Sequence, residues 1–129
     1  MTTIFSKIIS GEIPCYKVAE NDDFLAFLDI QPLRKGHVLV IPKLEIDYIF
    51  DMEDDHLGKM MAFSKIVACK IKEVFPCRKV GVTVIGLEVP HAHIHLIPIN
   101  GIQDMNFSQE KLVLSSEELN SISEALQQA

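Results

Sequence analysis

The chain has 129 residues, 48% of them hydrophobic, which is enough for a single domain, residues 1–129, that buries a core without a metal or disulfide staple. Its formal net charge is −6 and no run of Lys or Arg interrupts it, which argues against a long nucleic acid as partner and leaves only a small, locally held anion. Cys15, Cys69 and Cys77 lack C-x-x-C spacing, and the start MTTIFSKIISGEIP has neither a basic opening nor an apolar run approaching the roughly 18 residues that span a bilayer, so a cytoplasmic protein without membrane contact is expected.

In chain order, apolar residues at helical spacing from Thr3 to Ser10 predict a short helix, with Gly11 as its left-handed cap. Tyr16–Ala19 and Phe24–Asp29 read as a hairpin around Asn21-Asp22-Asp23. Gln31–Gly36 is a loop, and His37–Ile41 a strand closed by Pro42. Asp51 is placed as the cap of a long helix through about Phe75, stopped by Pro76. That helix carries Leu57, Met60, Met61, Val67, Ala68, Ile71 and Val74 on one side, as core packing. Lys79–Ile85 and His91–Ile99 supply two more strands joined by a short turn at Gly86. After Gly101 the pattern fades until Ser115 and Glu118 form a capping box before a short C-terminal helix. The order predicts an α+β domain with about five antiparallel strands, one long helix and short terminal helices.

The stretch HAHIHLIPI sets His91, His93 and His95 on alternate positions, and in an extended chain residues two apart share a face about 6.7 Å from each other. Ala92, Ile94 and Leu96 face the other way as apolar backing. A phosphate held by hydrogen bonds of about 3 Å is within reach of two adjacent histidines but hardly of three. Three readings compete: structurally satisfied histidines, a metal site without supporting thiolates, and an imidazole nucleophile working on phosphorus. The last is favoured, because a neutral ring with pKa near 6.5 is free to attack and close imidazoles discourage each other's protonation.

His91-Ala92-His93-Ile94-His95-Leu96-Ile97 resembles the His-φ-His-φ-His-φ-φ pattern (φ apolar) of the histidine triad (HIT) family. IFSKIISGEIP, LAFLDIQP and KGHVLVIPK resemble further stretches of that family in order and spacing. The resemblance implies a HIT-like fold and attack at the α-phosphate of a nucleotide, typically an adenosine derivative, through a nucleotidyl-histidine intermediate. It makes His93 the nucleophile and gives His95 the oxygens of the α-phosphate or leaving group. His91 becomes the residue that orients its neighbours, and His37 a support behind the triad. It assigns Asp29 to the ribose hydroxyls. Phe5, Ile8, Ile13, Phe27, Leu28 and Ile30 become candidates for the wall around the base. His56 matches nothing and is expected in solvent. A homodimer with joined sheets and packed long helices is implied as well.

The chain departs from the family pattern in two places. Relatives carry a Gly-Gln pair and then a hydroxyl residue ahead of the triad, where this chain has Gly86-Leu87-Glu88-Val89-Pro90. Leu87 removes a phosphate donor and Glu88 adds a repulsive charge near the site. The family's asparagine in the preceding loop has no counterpart. Zinc-containing relatives have ligands at the positions of Thr3, Ser6 and Glu45, so no structural zinc and no cofactor are expected. The leading expectation is a metal-independent enzyme cleaving a phosphoramidate or dinucleoside polyphosphate. The alternatives are a nucleotide-binding sensor or interaction protein with little turnover, and a metal-dependent hydrolase.

Overall fold

The structure, a computed structural model, describes residues 3–129. Helix α1, Ile4–Ser10, is capped by Thr3, which accepts from Ser6 N–H, and ends at Gly11 with φ 88°. Strands β1 (Lys17–Glu20), β2 (Phe24–Leu28) and β3 (Val38–Pro42) follow, then helix α2 (Asp54–Val74), strands β4 (Lys79–Thr83) and β5 (Ile94–Ile99), and helix α3 (Ser116–Gln128). The five strands make one sheet in the order β1-β2-β3-β5-β4, each neighbouring pair antiparallel. This is the α+β architecture expected. Among the described residues no helix is long and apolar enough to cross a membrane.

The pleat assigns the two faces. Phe24, Ala26, Val38, Val40, Ile94 and Leu96 pack beneath Met60, Phe63, Val67 and Ile71 of α2 and Leu119, Ile122 and Leu126 of α3. Their odd-numbered neighbours Leu25, Phe27, Leu39 and Ile41 cluster with Phe5 of α1 on the opposite face. Covering both sides explains why β2 and β3 are buried at every position. The larger, two-helix side anchors the sheet, and the side under α1 is left partly open.

Four expectations need correction. Asp51 does not cap α2: it closes a 3₁₀ turn, Ile49–Asp51, donating its N–H to Tyr48, and Glu53 precedes the helix. Met61 is 49% exposed, because the buried stripe runs through Met60, Phe63, Ser64, Val67 and Ile71 and Met61 lies one residue, about 100°, off it. The last two strands are joined by a ten-residue loop, 84–93, not by a short turn. The last strand starts at Ile94 because His91 donates to Val89 O and Ala92 to Ile46 O, which takes their backbone out of the ladder.

Candidate active site

Strand parity assembles the site. Asp29 N–H donates to His37 O, extending the β2–β3 pairing by one rung, so these odd-numbered residues stand opposite each other on the open face. His95 faces Leu39 on one side and Thr83 on the other, fixed in the central strand of its trio. Alternation carries beyond the ladder to His93, whose ring centroid is 4.9 Å from that of His95 and 5.0 Å from that of Phe5. His37, His91, His93 and His95 are all buried.

The hydrogen bonds fix where each proton sits. Leu33 N–H donates to His37 Nδ1 at 3.1 Å, which leaves the His37 proton on Nε2. That Nε2–H donates to His95 Nδ1 at 3.0 Å, so His95 carries its own proton on Nε2. His93 Nδ1–H donates to the backbone carbonyl of His91 at 2.8 Å, which places its lone pair on Nε2. Side by side, these two rings offer one nucleophilic nitrogen and one donor N–H. Neither Nε2 has a protein hydrogen-bond partner among the described residues.

Electrostatics keep these rings uncharged. Burial, reinforced by His95, Lys111 and His93, lowers His37 to about 3, and burial with the adjacent His93 lowers His95 to about 4. His93 is lowered mainly by burial; the His91 carbonyl and the charge of Glu88 oppose that shift. Asp29 is raised by burial, against the N–H of Gln31 and the charge of Lys111. For His37 and His95 the fold favours the neutral ring while the unfolded chain protonates near 6.5. Their contribution to stability is complete above that pH and declines as pH falls toward about 4 and then 3, by up to about 1.4 kcal/mol per pH unit for each histidine. Urea midpoints between about pH 7.5 and 4.5 are expected to fall steeply in the wild type and less steeply in His37→Asn, which has one fewer depressed imidazole.

Beside the imidazoles opens a cavity of about 670 Å³. Phe5, Ile8, Ile13, Phe27 and Ile30 line it together with Asp29, Gly86, Leu87, Glu88 and His95, so the wall expected from sequence converges on one space. Leu28 borders it too, although its side chain belongs to the helix-side core. His93 adjoins the cavity through Phe5 and His95, with His91 and His37 one layer further back. His56 is not in solvent as expected: its ring lies 5.0 Å from that of Phe24 and its Nε2 is buried without a hydrogen-bond partner among the described residues.

Sequence reasoning missed Phe107 and Lys111, which come from the stretch after Gly101. Phe107 meets the His95 ring edge-on at 4.9 Å and the His37 ring at 6.2 Å. Among the described residues Lys111 is the only Lys or Arg on the cavity wall, its Nζ held by Phe107 O at 2.5 Å and Gln109 O at 3.2 Å. The segment is tied down by an Arg34–Asp104 ion pair and by Leu112 N–H donating to Pro32 O, neither of which leaves a periodic signal.

Two clusters bear on metals. Behind His91, its Nε2–H donates to Pro42 O at 2.9 Å and its Nδ1 accepts from the Thr3 hydroxyl at 3.0 Å, while Ser6 Oγ–H donates to Glu45. Thr3, Ser6, Glu45 and His91 are therefore joined by hydrogen bonds. Asp29, His37 and His95 also bring three candidate ligand atoms within 4.8 Å of each other. There the Leu33 N–H keeps a proton on His37 Nε2, and that proton occupies the space between the two rings where an ion would have to bind.

The architecture and site define a class: a sheet that presents paired imidazoles, one with its lone pair and one with its N–H uncommitted, beside a largely apolar cavity. The HIT domain model matches residues 10–101, and the chain belongs to the HIT family. An uncharacterized HIT-like protein of Borreliella burgdorferi is 39% identical over 102 residues, 74% of this chain and 73% of that protein. The adenosine 5′-monophosphoramidase HNT1 of Saccharomyces cerevisiae is 40% identical over 96 residues, 74% of this chain and 61% of that protein. Among solved structures, a Hit-like protein from Bartonella henselae superposes with a TM-score of 0.85 at 29% identity, over 98% of this chain and 95% of that one.

Proposed function

We propose that this protein is a nucleotidyl hydrolase or transferase that cleaves adenosine phosphoramidates or dinucleoside polyphosphates at the α-phosphate, without a metal, through an adenylyl-His93 intermediate. The observation that carries the reading is the 2.8 Å bond from His93 Nδ1–H to the His91 carbonyl, since it commits the lone pair to Nε2. The phosphoramidase HNT1 lends support to the substrate class.

In the first step His93 Nε2 forms a bond to the α-phosphorus. The bond to the leaving group breaks, and that group departs with the electron pair and takes a proton from solvent. His95 Nε2–H hydrogen-bonds a phosphoryl oxygen as charge grows on it. The adenylated ring becomes cationic, and the carbonyl of His91 stabilises its Nδ1–H. Water then displaces His93, releasing AMP and one proton. Asp29 holds the ribose hydroxyls, and Phe5, Ile8, Ile13, Phe27 and Ile30 surround the base. His37 fixes the tautomer of His95.

The second reading, a nucleotide-binding sensor or interaction protein with little turnover, draws on Leu87, which is 89% exposed and offers the phosphate no donor. Mixing the protein with adenosine 5′-phosphoramidate or diadenosine polyphosphates in the presence of a chelator separates the readings. The enzyme is expected to form and discharge an adduct visible in the intact mass. Tight binding without an adduct selects the sensor, and activity only after adding zinc selects a metal enzyme. A homodimer formed through strand β4 and the exposed Met61 and Val82 beside it, in a cytoplasmic protein, completes the proposal.

A further inference from the structure

We propose that Glu88 sorts substrates by the charge on the departing group, favouring one that bears an ammonium over one that bears a carboxylate or phosphate. The inference rests on the reading above for which bond is cleaved. Four observations lead to it. Glu88 lines the cavity five residues ahead of His93, in the loop 84–93 that forms its rim. Its charge is felt at both His93 and Asp29, the proposed nucleophile and ribose ligand, at Asp29 against the opposing charge of Lys111. It is exposed, and among the described residues no ion pair or hydrogen bond engages its carboxylate. Lys111, the one Lys or Arg on the wall among the described residues, hydrogen-bonds Phe107 O and Gln109 O instead.

The cavity's shape gives this free charge its effect. The end built from Phe5, Ile8, Ile13 and Phe27 is apolar and accepts the base, so the nucleoside enters that way. Whatever is attached to the far side of the phosphorus must leave past the rim, where Leu87 and Glu88 face solvent. A carboxylate there repels an anionic leaving group and attracts a cationic one, and salt weakens both effects.

The test uses three adenosine 5′-phosphoramidates of equal length, made from pentylamine, 1,4-diaminobutane and 4-aminobutanoate. In the wild type the ratio of kcat/KM for the cationic over the anionic substrate is expected to be about tenfold at low salt and to shrink as salt is added. Glu88→Gln, nearly isosteric, should bring the ratio close to one, and Glu88→Lys should invert it. Comparing ratios between proteins cancels the intrinsic reactivity of each amine. A ratio that Glu88→Gln leaves unchanged within about twofold overturns the inference. Should the wild type bind but convert none of the three, the phosphoramidate reading fails on its own, and the same order is then read from their dissociation constants. No order among those constants, or no binding at all, overturns the role of Glu88.

Discussion

His93→Ala is expected to cut turnover of an adenosine phosphoramidate by roughly 10⁴-fold or more, as removal of a nucleophile does where no other group can form the covalent bond. Nucleotide affinity should stay within about threefold, because Asp29 and the apolar wall are untouched. The adduct disappears from the intact mass at the same time. The neighbouring rings cannot take over: His95 carries a proton on the nitrogen that would have to attack, and both His91 nitrogens are engaged by Pro42 O and the Thr3 hydroxyl. Single-turnover kinetics with a calorimetric binding measurement check the result. A His93→Ala protein that still forms the adenylyl adduct would remove the basis of the mechanism.

His37→Leu carries the second large effect, on two readouts that conservative variants separate. Leucine leaves the Leu33 N–H and His95 Nδ1 without partners in buried surroundings, a cost of about 2–4 kcal/mol, or roughly 10 °C in Tm for a domain of this size. It also frees His95 to carry its proton on Nδ1, which withdraws the donor from the phosphoryl oxygen and slows turnover by about 10²-fold. In His37→Asn the side-chain oxygen lies near the position of Nδ1 and can still accept from Leu33, so stability should recover more than rate. In His37→Gln the longer amide reaches toward His95, so rate should recover more than stability. Urea midpoints and steady-state kcat give the comparison, and nitrogen shifts of His95 report its tautomer directly. Equal losses in all three variants would show that His37 is packing alone.

The parity of the histidine stretch, and with it the face that bears the imidazoles, was legible because alternation is a local property of extended chain. Asp29 and His37 came from the family resemblance alone, their shared face emerging only with the β2–β3 pairing, whereas Gly11 announced its cap by residue type. What escaped was set by distant contacts. The bond from Ala92 to Ile46 moves the start of β5, and nothing near either residue in sequence signals it. Asp51 has the chemistry of a cap, yet a 3₁₀ turn claims it first. Met61 shows how a stripe read from apolar spacing drifts by one residue when Phe63 and Ser64 carry the packing. Phe107 and Lys111 reach the cavity from an irregular segment held by Arg34 and Pro32, where neither helical nor strand periodicity exists to be read.

The position of β5 between β3 and β4 has a further consequence. His95 is hemmed in by a ladder on either flank, whereas the rim residues Leu87 and Glu88 and the segment bearing Phe107 and Lys111 belong to no sheet at all. The group that donates to the phosphoryl oxygen is thereby housed in paired strand, and the group that discriminates in the unpaired chain that ends at the nucleophile His93. Substitutions at Glu88 that retune which group departs fall on irregular chain five residues from the nucleophile, and leave undisturbed the registered strand that presents the donor N–H of His95.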